Sequence, residues 1–208
     1  MNSIPVLFID DDIIVIDKPA ELLSVPGRGP DKQDSAATRL MAEYSEVHIV
    51  HRLDMSTSGL MIFARNKTAL KHLHKQFQNR IPKKVYEAVL HGELQPGQGA
   101  INLPMRCDWP NRPRQMVCYE HGKKSLTRWQ VIERENDSTR VLLFPVTGRS
   151  HQLRVHCFAL GHPILGDNLY HTQESLSASD RLLLHAKELS LYHPSSSELL
   201  NFSCPAPF

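Results

Sequence analysis

The stretch Val50-His51-Arg52-Leu53-Asp54-Met55-Ser56-Thr57-Ser58-Gly59 runs straight into Leu60-Met61-Ile62-Phe63-Ala64. The second piece is an unbroken apolar run of strand length and reads as a buried β-strand. The first places an arginine and a carboxylate two positions apart, followed by small hydroxyl residues and a glycine. A loop tied to a buried strand is held firmly, and such loops are where binding and catalytic groups concentrate. Asp and Gly are also ordinary turn residues. On the local pattern Asp54 therefore reads as a turn aspartate before it reads as a catalytic carboxylate.

Upstream, Val6-Leu7-Phe8-Ile9 and Ile13-Ile14-Val15-Ile16 flank Asp10-Asp11-Asp12 and predict two short strands around an acidic turn. The three aspartates do not have the spacing of a calcium loop. Lys18-Pro19 to Gly29-Pro30 is a loop carrying Lys18, Ser24 and Arg28. Asp34 is placed to cap a helix reaching about Tyr44, with Ala37, Leu40, Met41 and Tyr44 on its buried face. Downstream, Asn66-Lys67-Thr68 opens a second helix with Leu70, Leu73 and Phe77 inward, which Pro82 stops.

Lys84 to Leu90 predicts a strand, and 96–113 a Gly- and Pro-rich loop excursion. Ser125 to Glu133 and Thr139 to Pro145 predict a hairpin around Glu135-Asn136-Asp137-Ser138. A third helix follows Thr147-Gly148-Arg149, with Ser150 as its cap and Gly161 as its stop. His162 to Asp167 is a loop, and 181–185 and 187–192 are further short elements. Strands and helices mix without strict βαβ alternation, so the expected class is α+β, with 1–208 as one domain.

A hydrophobic content of 41% and a charged content of 22% are those of an ordinary globular chain. No run approaches the ~18 apolar residues of a membrane span, and no signal pattern opens the chain, so a cytoplasmic protein is expected. Four cysteines without a CxxC pair argue against zinc ribbons and redox dithiols. The net charge of +2 is too small to imply a partner, but its distribution is uneven. Arg65, Lys67, Lys71, Lys75, Arg80, Lys83 and Lys84 fall in one window without an acid. A segregated basic stripe is the footprint of a phosphate-backbone binder, and also of a solvated helix face. The 96–113 excursion and its margin add Arg106, Trp109, Arg112 and Arg114.

Twelve histidines include no HExxH, and neither His72-x-His74 nor the His151/His156 pair has helical ligand spacing. No metal site is expected. GxSxG, Walker and GxGxxG patterns are missing, which removes serine hydrolysis, nucleotide hydrolysis and dinucleotide chemistry. What remains is a carboxylate on an anchored loop, Arg149 and Arg154 near the start of the third helix, and Tyr86 in a strand. A carboxylate can attack a sugar or base carbon if it is ionised. Burial opposes ionisation, and a nearby arginine offsets that by ~1–3 pH units. Taken singly, Arg154 reads as a structural ion pair and Tyr86 as half-buried packing. The functional alternative for Tyr86 is a platform for a stacked base.

These pieces together resemble the RluA-type RNA pseudouridine synthases over essentially the whole chain. The resemblance rests on Asp17-Lys18-Pro19, Leu22-Leu23-Ser24-Val25-Pro26-Gly27-Arg28, His51-Arg52-Leu53-Asp54 with Thr57-Ser58-Gly59, and Pro82-Lys83-Lys84-Val85-Tyr86. It continues through Cys107-Asp108-Trp109-Pro110-Asn111-Arg112-Pro113, Thr147-Gly148-Arg149-Ser150-His151-Gln152-Leu153-Arg154-Val155-His156, Gly161 to Asp167 and Leu182 to Ala186. It implies a bent, mixed, largely antiparallel sheet with flanking helices and loops and a central active-site cleft. It also implies that Asp54 is the nucleophile, Tyr86 the active-site tyrosine, Arg154 the partner of the aspartate, and Arg52 the side chain that fills the gap left by a flipped nucleotide.

RNA would then be the partner, with 23S ribosomal RNA and tRNA anticodon stem-loops as substrates, no cofactor, no membrane, and a monomeric protein. Arg65, Lys67, Lys71, Lys75, Lys83, Lys84, Arg112, Arg114 and Arg149 are the expected RNA contacts beside Arg52. His51 falls too early in the chain to leave room for the N-terminal S4-type domain of some relatives. The competing expectation is a non-catalytic RNA-binding or ribosome-assembly protein.

Overall fold

In the computed structural model, which describes residues 3–208, the chain divides into two compact units. The first runs to Lys84 and resumes at His185–Pro207, and the second is Val85–Leu184 with Phe208. In chain order the elements are β1 (Val6–Ile9), β2 (Ile13–Lys18), α1 (Ala36–Glu43), β3 (His48–Ile49), β4 (Ser58–Ala64) and α2 (Lys67–Gln78). β5 (Lys83–His91) leads into the second unit, followed by β6 (Gln98–Asn102), β7 (Met105–Cys107), β8 (Gln115–Val117), β9 (Leu126–Glu135), β10 (Ser138–Pro145), α3 (Gln152–Ala159) and α4 (Gln173–Ser177). β11 (Leu184–Tyr192) and β12 (Leu199–Ser203) complete the first. Strands and helices are mixed and pairing is mostly antiparallel, as the α+β expectation required.

In the first unit β4 is the organising strand, and all seven of its residues are buried. β2 lies antiparallel on one side, pairing from Ile13↔Ala64 to Lys18↔Gly59. β11 lies parallel on the other through His185↔Ser58 and Ala186↔Gly59, and carries β12 beyond it. Gly59 has φ +108°, and a side chain there would run into the Ala186 backbone, so the sequence needs glycine at this crossing. Ile13, Val15, Leu60 and Ile62 meet Ala69 and Leu73 of α2 in one apolar cluster with Leu189 and Leu191. The acidic turn between β1 and β2 is explained by Asp10, whose Oδ1 accepts from the Asp12 and Ile13 amides at 2.8 Å each.

Two details of α1 differ from expectation. Ser35, not Asp34, caps the helix, accepting from the Thr38 amide at 3.1 Å while Thr38 Oγ1 accepts from the Ser35 amide at 2.9 Å. Asp34 is drawn instead to Arg39, whose Nε and Nη2 approach it at 2.7 and 2.6 Å. A reciprocal capping box satisfies two backbone donors at once, and that outweighs a lone aspartate cap. Met41, expected inward, is 48% exposed. α2 starts where expected, and Asn66 caps it, accepting from the Ala69 amide at 2.8 Å.

The second unit is an antiparallel array in the order β5-β10-β9-β6. Its core joins Ala88, Leu90, Trp129, Val141, Leu143, Leu153, Leu182 and Leu184. The expected loop excursion over 96–113 is replaced by β6 and a two-stranded hairpin of β7 and β8. Glycine is a poor strand former, but Gly99 pairs opposite Trp129 and the indole fills the space where a side chain would be. That cross-strand cover compensates the glycine, and sequence periodicity does not display it. Ser150 is likewise not the α3 cap. His151 holds that position in the left-handed region at φ 54°. Gly161, at φ +88°, follows the helix as expected.

Candidate active site

Asp54 lies in the first unit, and the backbone on both sides of it is fixed by side chains from the 18–24 segment. Ser24 Oγ donates to the Leu53 carbonyl at 2.6 Å and accepts from the Leu53 amide at 3.0 Å. Lys18 is wholly buried, and its ammonium donates to the carbonyls of Met55 at 3.0 Å, Leu22 at 2.7 Å and Pro19 at 2.8 Å. The Thr57 amide donates to the Asp54 carbonyl at 3.1 Å, closing a turn just before β4. Asp54 itself is half-buried, between exposed Arg52 and exposed Met55. The turn reading of Asp54 is thus correct for its backbone, and the same turn presents its carboxylate from a rigid base.

Sequence reasoning gave Lys18 no task of its own. The signal available was a lysine closing an apolar strand, where a buried ammonium needs several acceptors. Replacing Lys18 with Met should leave three carbonyls without their donor and cost about 2–4 kcal/mol. Urea unfolding of Lys18→Met checks this, and stability equal to wild type would contradict the clamp.

His51, three residues before Asp54, stacks on Phe77 with ring centroids 4.9 Å apart. Its Nε2 accepts from the Ile62 amide at 3.2 Å, which requires the neutral ring. Burial, with a smaller contribution from the Lys84 ammonium, pushes its pKa down to about 3. Burial also lowers Lys84. A histidine whose folded pKa lies below its unfolded value favours the unfolded state as protons bind. Stability should therefore be fully present above about pH 6.5 and fall as pH drops toward 3. His51→Gln should flatten that acid limb in unfolding midpoints measured against pH, and an unchanged slope would contradict the assignment.

Lys67, Lys71 and Lys75 are exposed and recur every fourth residue, forming one ridge of α2, with Arg80 and Lys83 exposed beyond it. Arg65 differs. It is half-buried, donates Nη1 to the Asp10 carbonyl and lies 5.8 Å from the Tyr44 ring centroid. These contacts brace the β1–β2 turn.

Tyr86 and Arg154 lie in the second unit. Tyr86 is half-buried on β5 opposite Leu143 and packs on the cluster containing Ala88 and Leu153. Arg154 is 3% exposed and bound side-on by Asp167, with Nε to Oδ2 at 2.8 Å and Nη2 to Oδ1 at 2.6 Å. Nη2 also donates to Asn168 Oδ1 at 3.1 Å. Asp167 Oδ1 accepts in addition from the amides of Leu169 and Tyr170 at 2.8 and 3.0 Å. The guanidinium therefore has one fixed plane. The structural ion pair read for Arg154 is present, and its partner Asp167 is a residue that the sequence reading left in a loop.

Arg154 and Arg114 are brought together on Tyr170, at 5.4 and 5.6 Å from its ring centroid. The Tyr170 hydroxyl accepts from the Gln115 amide at 2.7 Å and lies 2.7 Å from His151 Nδ1. Arg149 is exposed on the loop before α3, where its amide donates to Gln152 Oε1 at 3.0 Å. Gln152 Oε1 also accepts from Thr147 Oγ1 at 2.7 Å, and its Nε2 donates to the Leu126 carbonyl at 3.0 Å. The Thr147–His156 motif thus encodes a buried polar seam along with Arg154.

Among the described residues, Asp17, His185 and Cys204 are the ligand-type side chains close enough together to hold a metal ion. His185 has both ring nitrogens engaged, Nδ1 with Ser58 Oγ at 2.8 Å and Nε2 with the Cys204 carbonyl at 3.2 Å. Burial, together with Asp17, pushes the Cys204 thiol up to about 11. A protonated thiol and a committed imidazole are poor ligands.

This mixed fold carries a clamped aspartate loop, a buried arginine and an exposed basic ridge along α2. Residues 12–159 match the RNA pseudouridylate synthase family, and the chain belongs to it. It is 53% identical over 208 residues to the dual-specificity RNA pseudouridine synthase RluA of Vibrio vulnificus, covering 98% of this chain and 83% of that one. It is 50% identical over 204 residues to the protein of the same name from Escherichia coli K12, covering 98% and 93%. Human RNA pseudouridylate synthase domain containing 1 superposes with a TM-score of 0.84 at 30% identity, over 99% of this chain and 84% of that one. The chain is an RNA pseudouridine synthase, and among the described residues no helix is long and apolar enough to cross a membrane.

Proposed function

We propose that this chain isomerises specific uridines in the 23S ribosomal RNA and in tRNA anticodon stem-loops, as a monomer in the cytoplasm, with 1–208 acting as one catalytic domain. Asp54 attacks the target uridine, the N1–C1′ bond breaks, the uracil turns within the pocket, and C5 joins C1′. N1 gains a proton and the C5 proton leaves, so atoms and electrons balance within the nucleotide and the solvent. Tyr86 packs against the base and takes a proton. Arg154, held in one plane by Asp167, pairs with the Asp54 carboxylate and orients it. Arg52, exposed two residues before Asp54, fills the space left by the flipped nucleotide, offsetting an unstacking cost of a few kcal/mol.

The ridge of Lys67, Lys71 and Lys75 supports backbone contact, joined in the proposal by Arg65, Lys83, Lys84, Arg112, Arg114 and Arg149. The observation that carries this reading is the clamp that Ser24 and Lys18 place on the backbone of Leu53 and Met55, the residues on either side of Asp54. A carboxylate carried on a firmly held backbone suits nucleophilic attack, and simple RNA binding does not need it. Carbodiimide mapping of pseudouridines in cells with and without this gene tests the substrates. Loss of sites in both RNA classes is expected, and an unchanged map would overturn the assignment.

A further inference from the structure

The loop between β7 and β8 presents an aromatic–cation pair that the chemistry at Asp54 does not use. Trp109 is 68% exposed, the most open large hydrophobic among the described residues after Tyr119 at 78%. The Arg112 guanidinium lies over the Trp109 ring with Cζ 4.1 Å from the centroid. At that separation the cation is attracted by the ring quadrupole. With one face covered and the residue still this exposed, the remaining indole surface is open to a planar guest.

The pair is held on a built turn rather than a loose tip. The Asp108 amide donates to the Arg114 carbonyl, the Asn111 amide to the Asp108 carbonyl and the Arg114 amide to the Asn111 carbonyl, each at 3.0 Å. Asn111 Nδ2 adds a bond to Asp108 Oδ2 at 3.0 Å. At its base the turn is anchored by the Gln115 amide on the Tyr170 hydroxyl and by Arg114 against the same ring. Around it, residues 105–124 carry five lysines and arginines against two acids, and all five are exposed. An exposed indole inside a cationic field suits a partner that is both planar and anionic, which is the chemistry of a nucleotide.

We propose that Trp109, braced by Arg112, is a stacking platform for an unpaired base of the RNA substrate, outside the pocket that takes the target uridine. This deepens the assigned function and rests on it. Stacking on an aromatic is tolerant of base identity, so the platform selects loops over paired stems rather than one sequence. That is a use suited to an enzyme acting on more than one RNA.

The test uses the full chain carrying Asp54→Asn, so that binding is read without turnover. The probes are an RNA hairpin with a single-stranded loop and a blunt duplex of equal length. The only other tryptophan, Trp129, is buried, so the change in indole emission on binding reports Trp109. Expected are quenching by the hairpin, its loss in Trp109→Ala, and an affinity for the hairpin about 5- to 100-fold weaker. Trp109→Phe should recover most of that affinity, and the duplex should bind wild type and variant alike. Equal losses on hairpin and duplex, or undiminished hairpin affinity in Trp109→Ala, would overturn the platform while leaving RNA binding in place. Failure of the parent protein to bind either RNA would instead overturn the functional assignment on which the platform rests.

Discussion

Replacing Asp167 with Ala should destabilise the protein by about 3–5 kcal/mol, because it strands the buried Arg154 guanidinium without its counter-charge. Arg154 and Asp167 have side-chain exposures of 4% and 0%, so solvent cannot take the place of the missing partner. Asp167 also accepts from the Leu169 and Tyr170 amides, so the variant loses a turn as well as an ion pair. Asp167→Asn should lose less, since its Oδ1 still receives those amides. Converting both partners to apolar residues, Arg154→Met with Asp167→Leu, should recover the part of the loss due to the stranded charge, while the Leu169 and Tyr170 amides still lack their acceptor. That double variant should stay inactive. Urea unfolding and an isomerisation assay on the same samples separate the two effects, and a stable double variant with wild-type turnover would remove Arg154 from the chemistry. Arg154→Ala should lower turnover more than RNA affinity for the same reason.

The strands with dense β-branched or apolar runs, β2 and β4 above all, were legible because burial on both faces writes a continuous apolar stretch. The α2 helix and its start at Asn66-Lys67-Thr68 were legible because the signals are local. β6 was not, since Gly99 belongs to a strand only once Trp129 covers it from across the sheet. The Asp54 loop, Tyr86 and the α3 arginine could be singled out from residue type and setting, and it was the family resemblance that gave each a proposed role. Their supports could not be seen. Lys18 reaches Met55 across 37 positions, Ser24 reaches Leu53 across 29, and Asp167 reaches Arg154 across 13. Pairings of that range leave no local periodicity. Ser150 and Asp34 look like caps by residue type, and the backbone placed the helix starts one residue later.

Asp54→Asn should abolish isomerisation, with a loss on the order of 10⁴–10⁶-fold if the carboxylate is the nucleophile, as removal of a reacting group does in other enzymes. The amide has the same shape and lacks the charge and nucleophilicity of the carboxylate. The clamps on this loop act through backbone atoms of Leu53, Asp54 and Met55, so they survive the substitution. Stability should change by less than about 1 kcal/mol. RNA affinity should persist, because the exposed basic ridge of α2 is untouched. A non-catalytic RNA-binding protein would give the same binding, with the same salt sensitivity, in both proteins.

Isomerisation leaves the mass of the RNA unchanged, so the decisive readout is the hydrogen at C5. With uridine tritiated at that carbon, formation of the C5–C1′ bond releases the label to water. The wild-type chain should release tritium from a transcribed anticodon stem-loop, and Asp54→Asn should bind the same RNA and release none. Release by Asp54→Asn at the wild-type rate, or RNA binding by the wild-type chain with no release, would contradict the assignment of Asp54 as the nucleophile of an RNA pseudouridine synthase.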